Sequence, residues 1–369
     1  MPSGWEALFG SVLQSVAGFA ALWALYFRTG KALAVTDVAN PQRLTAQNVS
    51  VIIPARNEAE NLRQLLPSLR RDAGADFEVL VVDDHSTDAT ARVAAELGAR
   101  VVWAGQRPAG WTGKSWACHV GAQSTTRDVL LFIDADTIQD PRSIEGLLPR
   151  LQVASLVSAA PYHLNPSWWE KLMGPFQILV LLGCAWDGGS RYAIGQFLMF
   201  RREVYEKLGG HEKVRETICE DLELAHLVRE AQSRGELDHG VWSDLSGQVF
   251  KVRMYDSFAK FWSGWRRLMR LGLRRSTFWG GLAVYLAIAN LSLGFNPGEA
   301  HAAIWALAFG GWLAVFGIQR RWGDFSLLGV LAFPATLLLF VVLTMVAIFD
   351  QILRRDFVWR GRSYSWQVR

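Results

Sequence analysis

Two aspartates, Asp134 and Asp136, close the run VLLFIDADT over residues 129–137. Five apolar residues lead straight into two like charges with one alanine between them. In an extended chain, side chains at i and i+2 share a face. Carboxylates held there repel each other unless a cation lies between them, and a divalent metal is the simplest one. An Asp-x-Asp alone is a weak signal, so its weight comes from its surroundings. Two other apolar runs also end on polar clusters: VIIP runs into Ala55-Arg56-Asn57-Glu58, and VLVV into Asp83-Asp84-His85-Ser86. Five acids, Glu58, Asp83, Asp84, Asp134 and Asp136, therefore follow three apolar runs. Further on, Glu220-Asp221 lies among Ile218, Leu222 and Leu224 in TICEDLELAHLVREA, residues 217–231. That pair suits either a complement to a helix dipole or a proton-accepting carboxylate.

Short apolar runs at 49–54, 77–83, 99–103 and 129–134 read as strands, with helical stretches between them. In the first helix Leu62, Leu65, Leu66 and Leu69 form one apolar face, and Pro67 inside it is expected to kink it. The second, TDATARVAAEL, is expected to begin after Ser86 as N-cap and to stop before Gly98. The third covers roughly 114–124, after the Gly-Trp-Thr-Gly loop. This alternation predicts an α/β fold with a mostly parallel sheet covered on both faces. Right-handed crossovers bring the carboxyl ends of the strands to one edge, where ligands of such sheets bind. The acids after the strands thus share a rim.

The chain of 369 residues is 51% apolar and 12% aromatic, with a mean hydropathy of +0.14. A formal charge of +4 suits an anionic ligand or membrane surface. The basic residues are concentrated beside apolar segments, which points away from nucleic acid. Cys118, Cys184 and Cys219 are too few and too scattered for a disulfide framework or a zinc site. Residues 8–27 form twenty uncharged residues followed by Arg28 and Lys31, as expected of an uncleaved membrane anchor whose cationic flank stays cytoplasmic. Residues 172–186 are fifteen uncharged, mostly apolar residues preceded by Trp168 and Trp169, matching either a core helix or an interfacial one lining an acceptor site. The run FWSGWRRLMRLGLRR reads as an amphipathic membrane-surface stretch. Residues 277–350 hold three more apolar segments, the last with Pro334 inside it, and the tail 351–369 carries five arginines against one aspartate. Three full crossings from a cytoplasmic domain would leave that basic tail outside, so one segment is expected to be re-entrant or interfacial.

VIIPARNE, VLVVDDHSTDAT, LLFIDADT and ICEDLELA, in this order and spacing, resemble the motifs of the membrane-bound family 2 glycosyltransferases over about residues 48–272. The resemblance implies the nucleotide-diphospho-sugar fold called GT-A, over 48–275, with interfacial helices near 167–186 and 257–275. It implies that Pro54, Ala55, Glu58 and Asp84 hold the base and ribose of the donor, and that Lys114 and Asp134 line it. Asp134 and Asp136 would bring Mn²⁺ or Mg²⁺ to the diphosphate, with Asp136 the direct ligand, and Asp221 would be the general base. Within the family, RPAGWTGKSWACHVGA (107–122) and VWRGRSY look like the lipid-directed carotenoid (diaponeurosporenoate-type) and hopanoid-associated branches. Polysaccharide-making members carry Gln-x-x-Arg-Trp; here Trp262-Ser-Gly-Trp265-Arg266 stands instead, which argues against a processive synthase.

The chemistry of the residues agrees with the resemblance. Sugar transfer from a nucleotide donor leaves a diphosphate whose charge a metal can stabilise, while one carboxylate takes the proton of the attacking hydroxyl. The expectation is therefore inverting, metal-dependent transfer from a nucleotide-diphosphate sugar, a UDP-sugar, to the hydroxyl or carboxyl of a membrane lipid. The enzyme would be a multi-pass protein of the cell membrane with a cytoplasmic catalytic domain. The rival class is a membrane-anchored nucleotidyltransferase, and PARNEAEN lacks the glycines such an enzyme uses to grip a triphosphate.

Overall fold

The structure, a computed structural model, describes residues 44–70, 76–174, 193–272, 313, 316–359 and 362–364. The 8–27 run, nearly all of 172–186, Cys184 and the first of the three C-terminal apolar segments lie outside the described residues. The chain divides into two compact units, one of Ala32–Tyr162, Gly189–Met254 and Asp356–Arg369, the other of Met1–Lys31, His163–Gly188 and Tyr255–Arg355.

The first unit is the α/β one. Its elements in order are β1 (Val49–Ala55), α1 (Ala59–Leu69), β2 (Glu78–Asp83), α2 (Thr90–Glu96), β3 (Arg100–Trp103), α3 (Gly113–Gln123), β4 (Val129–Ile133) and β5 (Thr137–Gln139). There follow α4 (Pro141–Leu147), β6 (Leu156–Ala159), β7 (Phe197–Arg201), α5 (Arg202–Lys207), α6 (Gly210–Lys213), α7 (Glu220–Ser233), β8 (Val241–Asp244) and β9 (Phe250–Val252). Among the described residues the main sheet has seven strands in the order β3-β2-β1-β4-β7-β6-β8. All its pairings are parallel except those of β7, which runs antiparallel to β4 and β6.

Near-continuous apolar strands are what a doubly covered sheet requires, and β1 and β4 are buried along their whole length. Val51, Ile53, Val81 and Leu131 pack on one face with Leu62, Leu65, Leu66 and Leu69 of α1. Ile52, Val82, Leu130 and Phe132 pack on the other with Ala117 and Cys118 of α3 and Leu224 and Val228 of α7. Full burial of each such large side chain is worth roughly 1.5–3 kcal/mol. Close approach of α3 depends on Gly121, where a Cβ would lie 2.4 Å from Ile52 Cγ2.

Two local expectations are corrected. Helix α2 starts at Thr90 with Ala89 as its N-cap; Ser86 instead accepts a hydrogen bond from the Asn57 N–H at 3.0 Å, tying the loops after β1 and β2 together. Strand β4 ends at Ile133, so Asp134 and Asp136 sit in a turn closed by Thr137, whose hydroxyl donates to the Asp134 carbonyl at 2.8 Å. Strand alternation therefore does not set their side-chain directions.

In the second unit α8 (Phe258–Gly272) buries Phe261, Trp265 and Met269, one stripe at a spacing of four, and packs on α10 (Phe333–Ile352). Arg266 makes two charge-assisted bonds to the buried Asp350, and Arg270 donates to the Arg355 carbonyl at 2.6 Å. Two arginines of that stretch thus tie α8 to α10 and to the residues just after it. Pro334 divides the last apolar segment: α9 (Leu327–Leu331) ends before it, and it enters the first turn of α10, where its missing N–H is harmless. Among the described residues no helix is long and apolar enough to cross a membrane. The tail folds back into an antiparallel pair, β10 (Phe357–Trp359) and β11 (Arg362–Tyr364).

Candidate active site

The carboxyl ends of β1, β2 and β4 and the start of α7 supply the site, all within the α/β unit. Lys114 stands in the first turn of α3, whose N-cap Thr112 accepts from the Ser115 N–H. A cation there opposes the helix dipole. Two carboxylates offset this: Lys114 Nζ lies 2.7 Å from Asp134 Oδ1 and 2.8 Å from Glu220 Oε1. It also donates to the Gly195 carbonyl at 3.2 Å. One ammonium therefore joins the turn after β4 to the start of α7.

Glu220 and Asp221 open α7, where the dipole favours them. Asp221 is half-buried, and both its oxygens accept backbone N–H groups: Oδ1 from Leu222 and Oδ2 from Gly195, each at 2.8 Å. Those bonds fix the plane of the carboxylate. Burial raises the Asp221 carboxyl above the ordinary range, against the opposing pull of Lys114 and the two N–H donors. Burial pushes Glu220 up to about 7, with Lys114 opposing and Asp221 adding to the shift. Lys114 stays charged: the neighbouring carboxylates outweigh its own desolvation and raise it well above the usual lysine range. Gly195 is the hub. A Cβ there would stand 3.1 Å from Asp221 Oδ2 and Lys114 Nζ and 3.3 Å from Glu220 Oε1.

The remaining expected residues divide by use. Pro54 and Ala55 end β1 opposite Val82 and Asp83, and the Ala55 carbonyl accepts from the Asp84 N–H at 2.9 Å. Glu58 precedes α1 and accepts from Asn61 Nδ2 at 2.6 Å, while Asp83 accepts from the Ser86 N–H at 2.9 Å. Glu58 thus meets the first turn of α1, and Asp83 the loop after β2. Asp84 is buried beside His85 Nδ1 at 3.3 Å, and Asp134 and Asp136 are each half-buried. Among the described residues no group of three His, Cys, Asp or Glu side chains could hold a metal ion. Two hard carboxylates are nevertheless a fitting donor set for Mn²⁺ or Mg²⁺, which commonly complete their shells with substrate phosphates and water. Gly195 was missed from the sequence, because a glycine acting through its peptide leaves no side-chain signature.

Similarity to known proteins bears on this geometry. The Glycosyl transferase family 2 model matches residues 50–209. The 4,4'-diaponeurosporenoate glycosyltransferase of Staphylococcus haemolyticus (strain JCSC1435) is 29% identical over 352 residues, covering 87% of this chain and 89% of its own. That of Staphylococcus aureus (strain USA300) is 30% identical over 342 residues, covering 86% and 88%. A mannosyltransferase from Pyrobaculum calidifontis, solved in complex with GDP-Man and Mn²⁺, superposes with a TM-score of 0.55 over 93% of this chain and 97% of its own, at 17% identity. At that identity the likeness speaks for the fold, an α/β GT-A fold. Motifs, site and relatives agree: the chain belongs to glycosyl transferase family 2, and it is a glycosyltransferase.

Proposed function

We propose that the chain transfers one sugar, with inversion, from a nucleotide-diphosphate sugar to a polar group of a membrane lipid. The observation that carries this is Lys114 bridging Asp134 and Glu220 with Asp221 alongside, because it joins a donor-side carboxylate to the acceptor-side pair. Asp136 and Asp134 would hold Mn²⁺ or Mg²⁺, which when bound supplies Lewis-acid stabilisation of the diphosphate. Asp84 and the end of β1 bind the nucleoside, and Lys114 adds positive charge near the leaving group. Asp221, its plane fixed by two N–H donors and its proton affinity raised by burial, takes the proton of an acceptor hydroxyl. A UDP-sugar is the proposed donor. The Pyrobaculum calidifontis protein, solved with GDP-Man, makes a guanosine donor the alternative to test beside it.

A lipid acceptor is supported by the names of the Staphylococcus relatives. It is supported as well by a stripe of exposed apolar side chains on α10: Leu338, Val341, Val342, Met345, Phe349 and Ile352. Such a stripe suits a bilayer or an apolar partner rather than water. The test is incubation of detergent-solubilised full-length protein with radiolabelled UDP-glucose, UDP-galactose or GDP-mannose and a carotenoid or total membrane lipid extract. Label in the lipid phase is expected with at least one donor. Label only in soluble products, or none with any pairing, overturns the lipid reading.

A further inference from the structure

Helix α10 ends where positive charge gathers in the second unit. Its exposed apolar stripe runs from Leu338 to Ile352 at helical spacing, about 20 Å along the axis. Arg354 and Arg355 follow directly. The opposite face is occupied: Phe340, Leu343 and Ala347 are buried, and the helix packs on α8. At the end of the stripe Phe349 and Ile352 remain 56% and 71% exposed.

The guanidinium of Arg355 lies over the Phe349 ring, 5.7 Å from its centroid. A permanent cation therefore sits at the edge of the apolar stripe. The one acid within 4 Å of it among the described residues is Asp350, at 3.9 Å. Asp350 is already held by two charge-assisted bonds from Arg266. Arg270, buried, donates to the Arg355 carbonyl. Arg266, Arg270, Arg354 and Arg355 thus belong to one end of the stripe, with the buried Asp350 and with Asp356 next in sequence. The excess is positive, and the half-exposed Arg355 side chain presents it outward.

The backbone at this end also departs from ordinary preference. Arg354 has a φ of 51°, the left-handed conformation that glycine usually takes just past a helix. The Arg355 N–H closes the turn on the Asp350 carbonyl at 3.0 Å. Strain of this kind points to use. Cations at a helix C-terminus complement its dipole, but that effect calls for neither an apolar stripe beside them nor arginine at the strained position.

We propose that this end of α10 binds an anionic phospholipid of the bilayer, Arg354 and Arg355 taking the headgroup phosphate and the acyl chains lying along the stripe. This deepens the function proposed above and rests on its reading of the stripe as lipid-facing. Guanidinium forks match phosphate oxygens, and anionic headgroups attract cations held at the edge of the hydrocarbon. Charge and apolar surface together select the occupant. A soluble anion would leave the stripe uncovered, and an apolar protein partner would leave the arginines unmatched.

Native mass spectrometry of the full-length protein in a neutral detergent tests this. The probes are phosphatidylglycerol and phosphatidylcholine of the same acyl chains, and glycerol 3-phosphate. Arg354→Gln/Arg355→Gln is expected to weaken phosphatidylglycerol roughly twentyfold to thirtyfold, about fivefold per cation, and to leave phosphatidylcholine unchanged. Arg354→Lys/Arg355→Lys should keep most of the affinity. Met345→Ser/Phe349→Ser should weaken both phospholipids alike. Unchanged phosphatidylglycerol affinity in the glutamine pair, at an unaltered melting temperature, overturns the site. No effect of the serine pair on either lipid removes the stripe from it, and the lipid-facing reading with it. Glycerol 3-phosphate bound as tightly as phosphatidylglycerol would mark a soluble-anion site and overturn the lipid assignment. In wild type, raising salt to about 0.5 M should weaken phosphatidylglycerol alone; a salt-independent affinity overturns the proposal without any variant. Neither donor sugar nor acceptor enters this measurement, so its failure is distinct from a failure of lipid labelling in the transfer assay.

Discussion

Asp221 receives two backbone N–H groups, so replacing it perturbs more than a charge. Asn at 221 keeps one acceptor and turns a donor toward another donor, a change worth about 1–3 kcal/mol of stability. If Asp221 is the base, turnover of a hydroxyl acceptor falls a further 10²–10⁴-fold, roughly what a positioned base supplies. A carboxylate acceptor is already ionised at neutral pH and needs no base, so the deciding measurement uses a hydroxyl acceptor, with which near-normal turnover removes Asp221 from that role. Glu220→Gln likewise perturbs more than a charge. It strips Lys114 of a partner at 2.8 Å, and an intermediate loss of turnover is expected. Gly195→Ala places a methyl 3.1 Å from both Lys114 Nζ and Asp221 Oδ2. Turnover should fall about 10²-fold, the scale of a misplaced catalytic group, at matched folded protein; wild-type turnover would remove Gly195 from the site. Asp136→Asn is expected to abolish the Mn²⁺ dependence of nucleoside-diphosphate affinity in titrations, and full activity of wild type in excess EDTA would sink the metal. Asp134, Asp136, Lys114 and Asp221 could be singled out in the sequence because their side chains stand in recognisable motifs, and the structure brings Lys114 against Asp134 and against Glu220, the neighbour of Asp221. Gly195 acts through its peptide, whose carbonyl accepts from Lys114 and whose N–H donates to Asp221.

At the scale of elements, β1 to β4 were legible to within a residue or so at each end, because doubly buried strands leave almost unbroken apolar runs. Boundaries failed where side chains serve another loop, as Ser86 does for Asn57, or where one apolar run is divided into two helices, as just before Pro334. Helix α6 carries a case with a pH consequence. His211 is buried, its Nδ1 lying 2.9 Å from the Tyr205 hydroxyl, and its backbone N–H donates to the same oxygen. Burial, with Lys114 and His119 nearby, lowers its pKa to about 3. The folded pKa lies below the unfolded one, so the unfolded state binds the proton first. Stability from this group is complete above about pH 6.5 and is lost as pH falls from there toward 3. The slope approaches about 1.4 kcal/mol per pH unit per proton. His211→Phe should flatten the acid limb of a denaturant-midpoint series between pH 6.5 and 4, relative to wild type. An unaltered slope would mean that His211 is not buried neutral.

At the scale of the whole molecule, the chain reads as an α/β unit holding the chemistry and a helical unit with apolar surface to cover. The basic tail belongs by contacts to the α/β unit, as the strand pair β10–β11. If that unit faces the cytoplasm, as the Arg28 and Lys31 flank leads one to expect, the tail must face it too. The prediction concerns a single cysteine at Ser363, in β11, in a background where Cys118, Cys184 and Cys219 are replaced by alanine. Cys118 is buried in the core on α3, so the background itself must first be shown to retain transfer activity. In intact cells, a membrane-impermeant maleimide should leave the cysteine at 363 unmodified, and permeabilisation should make it reactive. A second cysteine in place of Ser233, at the end of α7, reports the α/β unit independently and should behave identically. Labelling of 363 but not 233 in intact cells would separate the tail from the unit its contacts assign it to. Labelling of both would place the chemistry outside the cell, where nucleotide sugars are not supplied by the cytoplasm, and with that the donor proposed here would lose its source.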